Sequence, residues 1–294
     1  MDAIYGSAGE PVLENKVWFQ LYTDTFDRWS ELTGITFVYE ANDDGASQSF
    51  GNTGVLGVRG DIRIGGHDID GNGGTLAYNY FPDFGEMVID TNDSYFNTTS
   101  NNSIRLRNVL AHEVGHGVGI RHVESNNGAF LMEPFINTSF DGPQLDDILG
   151  AQRHYGDANE GNDTAGTATS LGALSDGETI TVGADVGGTV VSTSDVDFVS
   201  IDDDSDVDYF SFDVSAGIEI SVSLTPVGPT YNQGPQGGSQ SPFDASAQSD
   251  LSLEILDSSG STVLAMANAG GLGQSETISD LQLSGGGTYY VRIT

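Results

Sequence analysis

The sequence predicts two domains of different class: an α+β domain of three helices against a mixed sheet, followed by an all-β antiparallel sandwich. Three observations carry this. The first half mixes helical periodicity with short apolar runs, whereas the second half alternates polar and apolar residues in short stretches. Between them lies Gly156-Asp157-Ala158-Asn159-Glu160-Gly161-Asn162-Asp163-Thr164-Ala165-Gly166, which holds only small and polar residues and reads as an exposed linker. The expected domains are therefore 1–157 and 158–294.

In the first domain, Val17, Trp18, Leu21, Tyr22, Thr25, Phe26 and Trp29 recur at helical spacing between Asn15 and Leu32, with Gly34 just beyond. Ile35–Tyr39, Asp61–Ile64 and Met87–Ile89 then read as short strands separated by Gly, Asn and Asp turns. Ser103 is placed to cap a second helix over Ile104–Gly117, and a third is expected over Gln144–Tyr155. In the second domain, Ile180–Val182, Tyr209–Val214, Ile218–Leu224, Leu251–Leu256 and Tyr289–Ile293 follow the period of two of half-buried strands. Residues 226–250, rich in Pro, Gly, Gln and Ser, are expected to form a long loop.

Charge excludes some partners. The net charge is -34, with eight basic and 22 acidic side chains in residues 1–156 and Arg292 alone against 21 acids in 157–294. Such a chain repels phosphate backbones and anionic membrane surfaces, so nucleic-acid and membrane partners are not expected. No stretch approaches the ~18 apolar residues of a spanning helix. The opening Met1–Gly6 lacks the basic and apolar regions of an export signal. With no Cys, a metal would have to sit on His, carboxylate or carbonyl groups.

Residues 112–122 read His-Glu-Val-Gly-His-Gly-Val-Gly-Ile-Arg-His. On a helix, His112 and His116 project from one face at a separation suited to one ion. Glu113, one step round, is placed to reach a water beside such an ion, where a general base belongs. Gly119 lets the chain turn back, with positive φ if required, to bring in His122 as a third ligand. Three imidazoles leave a fourth position open, as catalytic zinc requires. Chance yields the five-residue His-Glu-x-x-His core about four times in a thousand such chains and the full pattern roughly once in a hundred thousand. Isolated helix-face histidines therefore explain it poorly. No Gly-x-Ser-x-Gly elbow, P-loop or paired-Cys motif competes with it.

This extended motif, with Met132 downstream, resembles that of the metzincin zinc peptidases. Ala111–Pro134 and Gln144–Gly156 are most similar to the catalytic domain of matrixins, the matrix metalloproteinase family, over roughly residues 15–156. The resemblance implies a zincin-type fold in which His112, His116 and His122 bind Zn2+ and Glu113 is base and acid. It implies a Met-turn with Met132 as an apolar floor, and Pro134 walling the pocket for the substrate side chain after the cut. Asp70, Gly71, Gly73 and Thr75, with Asp90 and Asp93, resemble the matrixin segment that supplies oxygen ligands to Ca2+; the other reading is a solvated acidic turn. Thr75-Leu76-Ala77-Tyr78-Asn79-Tyr80 matches the edge strand that receives an extended peptide, so Leu76, Ala77 and Tyr78 are expected to bind substrate. The segment Val123–Pro143 is expected to shape the main specificity pocket.

The chain departs from the matrixin pattern at several positions. Tyr78 and Val88 replace histidines of the family's structural zinc, so no such site is expected, and His67 and His154 read as surface or packing residues. Val123 and Glu133 stand where Ser and Tyr are usual, and Pro134 removes the extra tyrosine ligand of astacins and serralysins. Without Cys, no cysteine switch is possible within the chain.

Asn162–Ala165, Asp206–Phe212, Leu253–Asp257 and Gly287–Arg292 together resemble the bacterial pre-peptidase C-terminal domain. This implies a non-catalytic β-sandwich appended to secreted bacterial peptidases and sometimes binding substrate, extracellular matrix or polymer. The acids around 202–208 are suited either to Ca2+ or to a solubilising surface. The expected activity is secreted zinc endopeptidase action on internal bonds of extracellular proteins. The competing readings are an inactive zinc-binding relative and a calcium-dependent matrix-binding or adhesive protein.

Overall fold

Helix α1 (Val17–Leu32) forms where the apolar residues share one face; Leu21, Tyr22, Thr25, Trp29 and Leu32 are buried, while Val17 at its first turn is exposed. The structure, a computed structural model, describes residues 1–48, 52–82, 84–183 and 190–294. They divide into two units. The first comprises Met1–Ala151, Thr189–Ser194 and Asn232–Ser241, and the second Gln152–Gly188, Asp195–Tyr231 and Pro242–Thr294.

In the first unit, β1 (Ile64–His67), β2 (Ala77–Asn79) and β3 (Met87–Asp90) make a mixed sheet in the order β1-β3-β2, with β1 parallel and β2 antiparallel to β3. Met87, Val88, Ile89 and Asp90 are all buried, as a central strand covered on both faces should be. β2 is an edge strand. Helix α2 (Ser100–Gly117) packs on α1, and the Trp29 indole N–H donates to the Ala111 carbonyl at 3.1 Å. Helix α3 (Leu145–Tyr155) follows, with Ile148 and Ala151 fully buried.

The helices lie where the periodicity places them, but other expectations are corrected. Ile35–Tyr39 forms no strand: Phe26 and Phe37 meet edge to face at 5.0 Å, Phe19 and Tyr39 at 5.1 Å, and the Phe37 N–H donates to Ser30 Oγ. Alternating aromatics here pack onto α1 instead of pairing. The strand expected at 61–64 is shifted to β1, because Ile62 and Arg63 turn toward the core and a buried ion pair. Ser103 does not cap α2; Asn101, Asn102 and Ser103 all take positive φ, so the regular helical backbone begins at Ile104.

In the second unit, β5 (Thr169–Ala173), β6 (Asp208–Val214), β10 (Leu253–Leu256), β11 (Val263–Ala267) and β13 (Gly287–Ile293) form one sheet in the order β11-β10-β13-β6-β5. β7 (Glu219–Leu224) and β12 (Glu276–Gln282) pair antiparallel as another. All pairings are antiparallel except β5 with β6. Phe212, Val214, Ile220, Leu253, Ile255, Ile278, Leu283 and Tyr289 fill the core, with Phe212 and Tyr289 stacked across paired strands. Ile180–Val182 is not a strand. The loop expected over 226–250 instead contains β8 (Thr230–Pro235) and β9 (Ser241–Asp244). Among the described residues no helix is long and apolar enough to cross a membrane.

Arg63 and Glu86, just before β1 and β3, are buried together: the guanidinium donates to Glu86 Oε1 and to the carbonyls of Ala46 and Ser47. Removing one member of such a pair strands the other charge away from water. Arg63→Ala is expected to cost about 3–5 kcal/mol in guanidinium unfolding; a loss below about 1 kcal/mol would show that the pair is not dry.

Candidate metal centre and active site

The site is built on the last turns of α2. His112 and His116, four residues apart, face one way, and the helix ends immediately after them in a reversal. The Ile120 N–H donates to the Gly115 carbonyl and the Gly119 N–H to the His116 carbonyl, both at 2.9 Å, the paired bonds of a Schellman cap. Gly119 holds φ at 100°, which an L side chain rarely adopts, so glycine is required there. The reversal swings His122 back toward the helix. Its Nε2 lies 3.1 Å from both His112 Nε2 and His116 Nε2.

The outer nitrogens decide what those inner nitrogens are. His112 Nδ1 lies 2.7 Å from the Leu131 carbonyl, His116 Nδ1 2.8 Å from the Ile120 carbonyl, and His122 Nδ1 2.9 Å from Gln236 Oε1. Each partner oxygen only accepts, so each Nδ1 carries the proton and each Nε2 presents a bare lone pair. Three lone pairs pointing at one another repel unless a cation lies between them. Tetrahedral zinc with Zn–N bonds of about 2.0–2.1 Å needs nitrogens about 3.3–3.4 Å apart, close to the spacing found. Burial, and then the neighbouring His116, lower the pKa of His112 to about 3, and burial also lowers that of His116. Both rings are thus neutral, as ligands must be. The residues fit a zinc ion.

Glu113, next to His112 on α2, is buried, and its Oε2 has no hydrogen-bond partner. Its carboxylate is not among the atoms that gather within 4.8 Å around the three histidines. Burial pushes its pKa up to about 8. Its unpartnered oxygen is free to take up or release a proton.

Met132 is fully buried, and its backbone links three parts of the site. Its N–H donates to Asp147 Oδ1 at 3.0 Å, its carbonyl accepts from Val123, and the preceding Leu131 carbonyl orients His112. Asp147 also accepts from the N–H groups of Leu131 and Gln144, both at 2.8 Å. It thereby closes the N-terminus of α3 while fixing the Met132 segment. Reciprocal carboxylate capping at the third helical position was a readable signal for Asp147. Glu133, placed where the family commonly has Tyr, accepts from Ser125 N–H at 3.0 Å and steadies the segment after His122. Gln236 lies outside every motif, and nothing in the sequence marks it.

The other expected residues are distributed as follows. Ala77 and Tyr78 lie on edge strand β2, with the Leu76 carbonyl just before it accepting from the Asp90 N–H; Pro134 is half-buried two residues after Met132. Asp90 accepts from the N–H groups of Asp70, Gly71 and Asn92; Asp93 accepts from Gly73 and Tyr95; Asp70 accepts from Thr75. The structure thus gathers Asp70, Gly71, Gly73, Thr75, Asp90 and Asp93 into one turn whose carboxylates bind its own backbone. His67 and His154 are exposed. Val123–Glu124 forms strand β4.

A second cluster lies in the second unit, where Glu160, Asp202 and Asp206 bring carboxylate oxygens within 4.8 Å of one another. Nearby Asp208 is pushed up to about 7 by burial and by Asp157 and Asp206. Its folded pKa exceeds its unfolded one, so its stabilising contribution is fully present below the ordinary value of 3.8 and is lost progressively as pH rises from there to about 7.

Two predictions follow from this geometry. A Cβ on Gly115 would fall 2.4 Å from Met132 Sδ, so Gly115→Ala is expected to destabilise the chain by about 1–3 kcal/mol in denaturant unfolding. An unchanged midpoint would mean that Met132 is free to move aside. In chelator, Asp208→Asn should raise the thermal midpoint far more at pH 8 than at pH 4; an equal gain at both would deny the carboxyl its raised pKa.

Comparison with known proteins agrees with this geometry. Residues 6–156, half of the chain, match the matrixin family model, and residues 206–294 match the bacterial pre-peptidase C-terminal domain. Similar proteins include metalloendoproteinase 2-MMP of Arabidopsis thaliana (30% identical, 46% of this chain, 36% of the relative). Others are matrix metalloproteinase-25 of Mus musculus (34%, 31% and 16%) and macrophage metalloelastase of Rattus norvegicus (30%, 46% and 28%). The chain therefore spans about a third or less of these relatives' lengths. With its first half matching the family model and its three imidazoles converging as a metal site, this chain belongs to the matrixins.

Proposed function

We propose that this chain is a secreted zinc endopeptidase that cuts internal bonds of extracellular proteins. By sequence it comprises a peptidase domain over 1–157 and a β-sandwich over 158–294 that binds matrix or polymer, with the 232–241 segment of the latter lent to the peptidase unit. The observation carrying the reading is the set of three Nδ1 contacts to oxygen acceptors, which leaves three Nε2 lone pairs converging on one point.

His112, His116 and His122 would hold the zinc through Nε2. Once bound, zinc supplies Lewis acidity that polarises a carbonyl and acidifies water. Glu113 takes the proton from the attacking water and delivers it to the leaving nitrogen; its buried, unpartnered Oε2 suits both halves of that task. Strand β2 has a free edge, so the backbone around Leu76, Ala77 and Tyr78 offers hydrogen bonds to an extended peptide without needing a chain terminus. Pro134 walls the pocket beyond the cut. The turn of Asp70, Gly71, Gly73 and Thr75, with Asp90 and Asp93, is assigned to structural Ca2+. The net charge of -34 directs the enzyme away from nucleic acids and anionic membranes.

Cleavage of casein or gelatin should be abolished by a zinc chelator. Glu113→Ala should keep its zinc by elemental analysis while turnover falls by about 10²–10⁴ or more. Turnover equal to that of the parent would refute the assignment.

A further inference from the structure

The acceptor that orients His122 comes from 114 residues downstream. Asn232–Ser241 belongs to the same unit as the histidines, where Gly234 and Pro235 of β8 pair antiparallel with Glu124 and Val123. Three further bonds clamp the two segments. Ser125 Oγ donates to the Asn232 carbonyl, the Asn232 N–H to Asn127 Oδ1 at 2.6 Å, and the Asn126 N–H to Gln240 Oε1 at 3.0 Å.

At the tip, the Gly238 N–H donates to the Pro235 carbonyl at 2.8 Å, closing a four-residue turn with Gln236 second and Gly237 third. Gly237 has φ 67°, the positive value that a type II turn needs there. Gln236 is thus held on a fixed turn, 2.9 Å from His122 Nδ1. His112 and His116 take their acceptors from backbone carbonyls close to the motif, whereas His122 uses a side-chain amide.

Resting on the zinc reading above, we propose that Gln236 is a positioning residue of the metal centre. Its Oε1 accepts the Nδ1 proton of His122, which fixes the ring's rotation and keeps the Nε2 lone pair on the metal. The hairpin from Asn232 to Ser241 therefore completes the zinc site, and the β4–β8 pairing holds the chain just after the ligand. Groups orienting a ligating histidine commonly change metal affinity by about 10–100-fold. Gln236 is exposed, so water can partly replace it, and the lower end of that range applies.

The test is zinc competition against a chromophoric chelator, on the full chain, for the parent, Gln236→Ala and Gln236→Glu. Gln236→Ala should weaken zinc binding about tenfold. Gln236→Glu, which keeps an acceptor oxygen, should hold zinc as tightly as the parent. The thermal midpoint of the metal-free protein should be the same in all three, because the turn accepts any side chain at that place. In cobalt-loaded samples, only Gln236→Ala should change the visible spectrum. Parent-like zinc affinity in Gln236→Ala, or equal weakening by Ala and Glu, would overturn the proposal while leaving the zinc site itself intact. A parent that takes up no zinc would overturn both.

Discussion

The site depends on where three imidazole protons sit. If any of the three rings turned its protonated nitrogen inward, the cluster would present a donor where a metal needs a lone pair. The fold prevents this by setting an oxygen acceptor behind each ring: Leu131 and Ile120 carbonyls and the Gln236 amide. Most other features of the first unit serve to place those three oxygens.

The Schellman reversal after Gly117 does this twice, since it exposes the Ile120 carbonyl to His116 and brings His122 back over the helix. The Leu131 carbonyl is placed differently. Asp147 grips the N–H groups of Leu131 and Met132 from the start of α3, while Met132 fills the space that Gly115 leaves on α2. Asn108 reinforces the same join by bonding the carbonyls of Asn137 and Phe140 and the N–H of Gly142. A carboxylate that accepts three backbone N–H groups in a dry interior is costly unless every bond is made. Here that cost is met by fixing two helices and the intervening turn at once.

The acids play several physical roles. Asp70, Asp90 and Asp93 fold a glycine-rich turn by accepting its N–H groups, while Glu86 is spent on a buried guanidinium. Glu160, Asp202, Asp206 and Asp208 crowd together in the second unit, and burial first, with their mutual repulsion second, raises the pKa values of Glu160, Asp206 and Asp208. Neutralising that crowd, by protons or by a cation, removes the repulsion.

Local patterns were enough to read the histidine motif, the helices, the central strand and most sandwich strands. Helical phase sets which residues share a face, strand alternation sets which are buried, and Gly119 marks a reversal that no other residue makes cheaply. Long-range packing was decisive elsewhere. Aromatics at 35–39 satisfy strand periodicity yet pack as rings on α1, because the contacts of Phe37 with Phe26 and of Tyr39 with Phe19 outweigh an unpaired edge. Asn101–Ser103 enters α2 through left-handed backbone, which short polar residues tolerate and a capping pattern does not foretell. The 232–241 hairpin is invisible in a Gly- and Gln-rich stretch because its strands are defined by hydrogen bonds to β4, over a hundred residues away. Residue identity dictated which groups can ligate, but the acceptors that make them ligands come from distant chain segments, and only folding brings those into range.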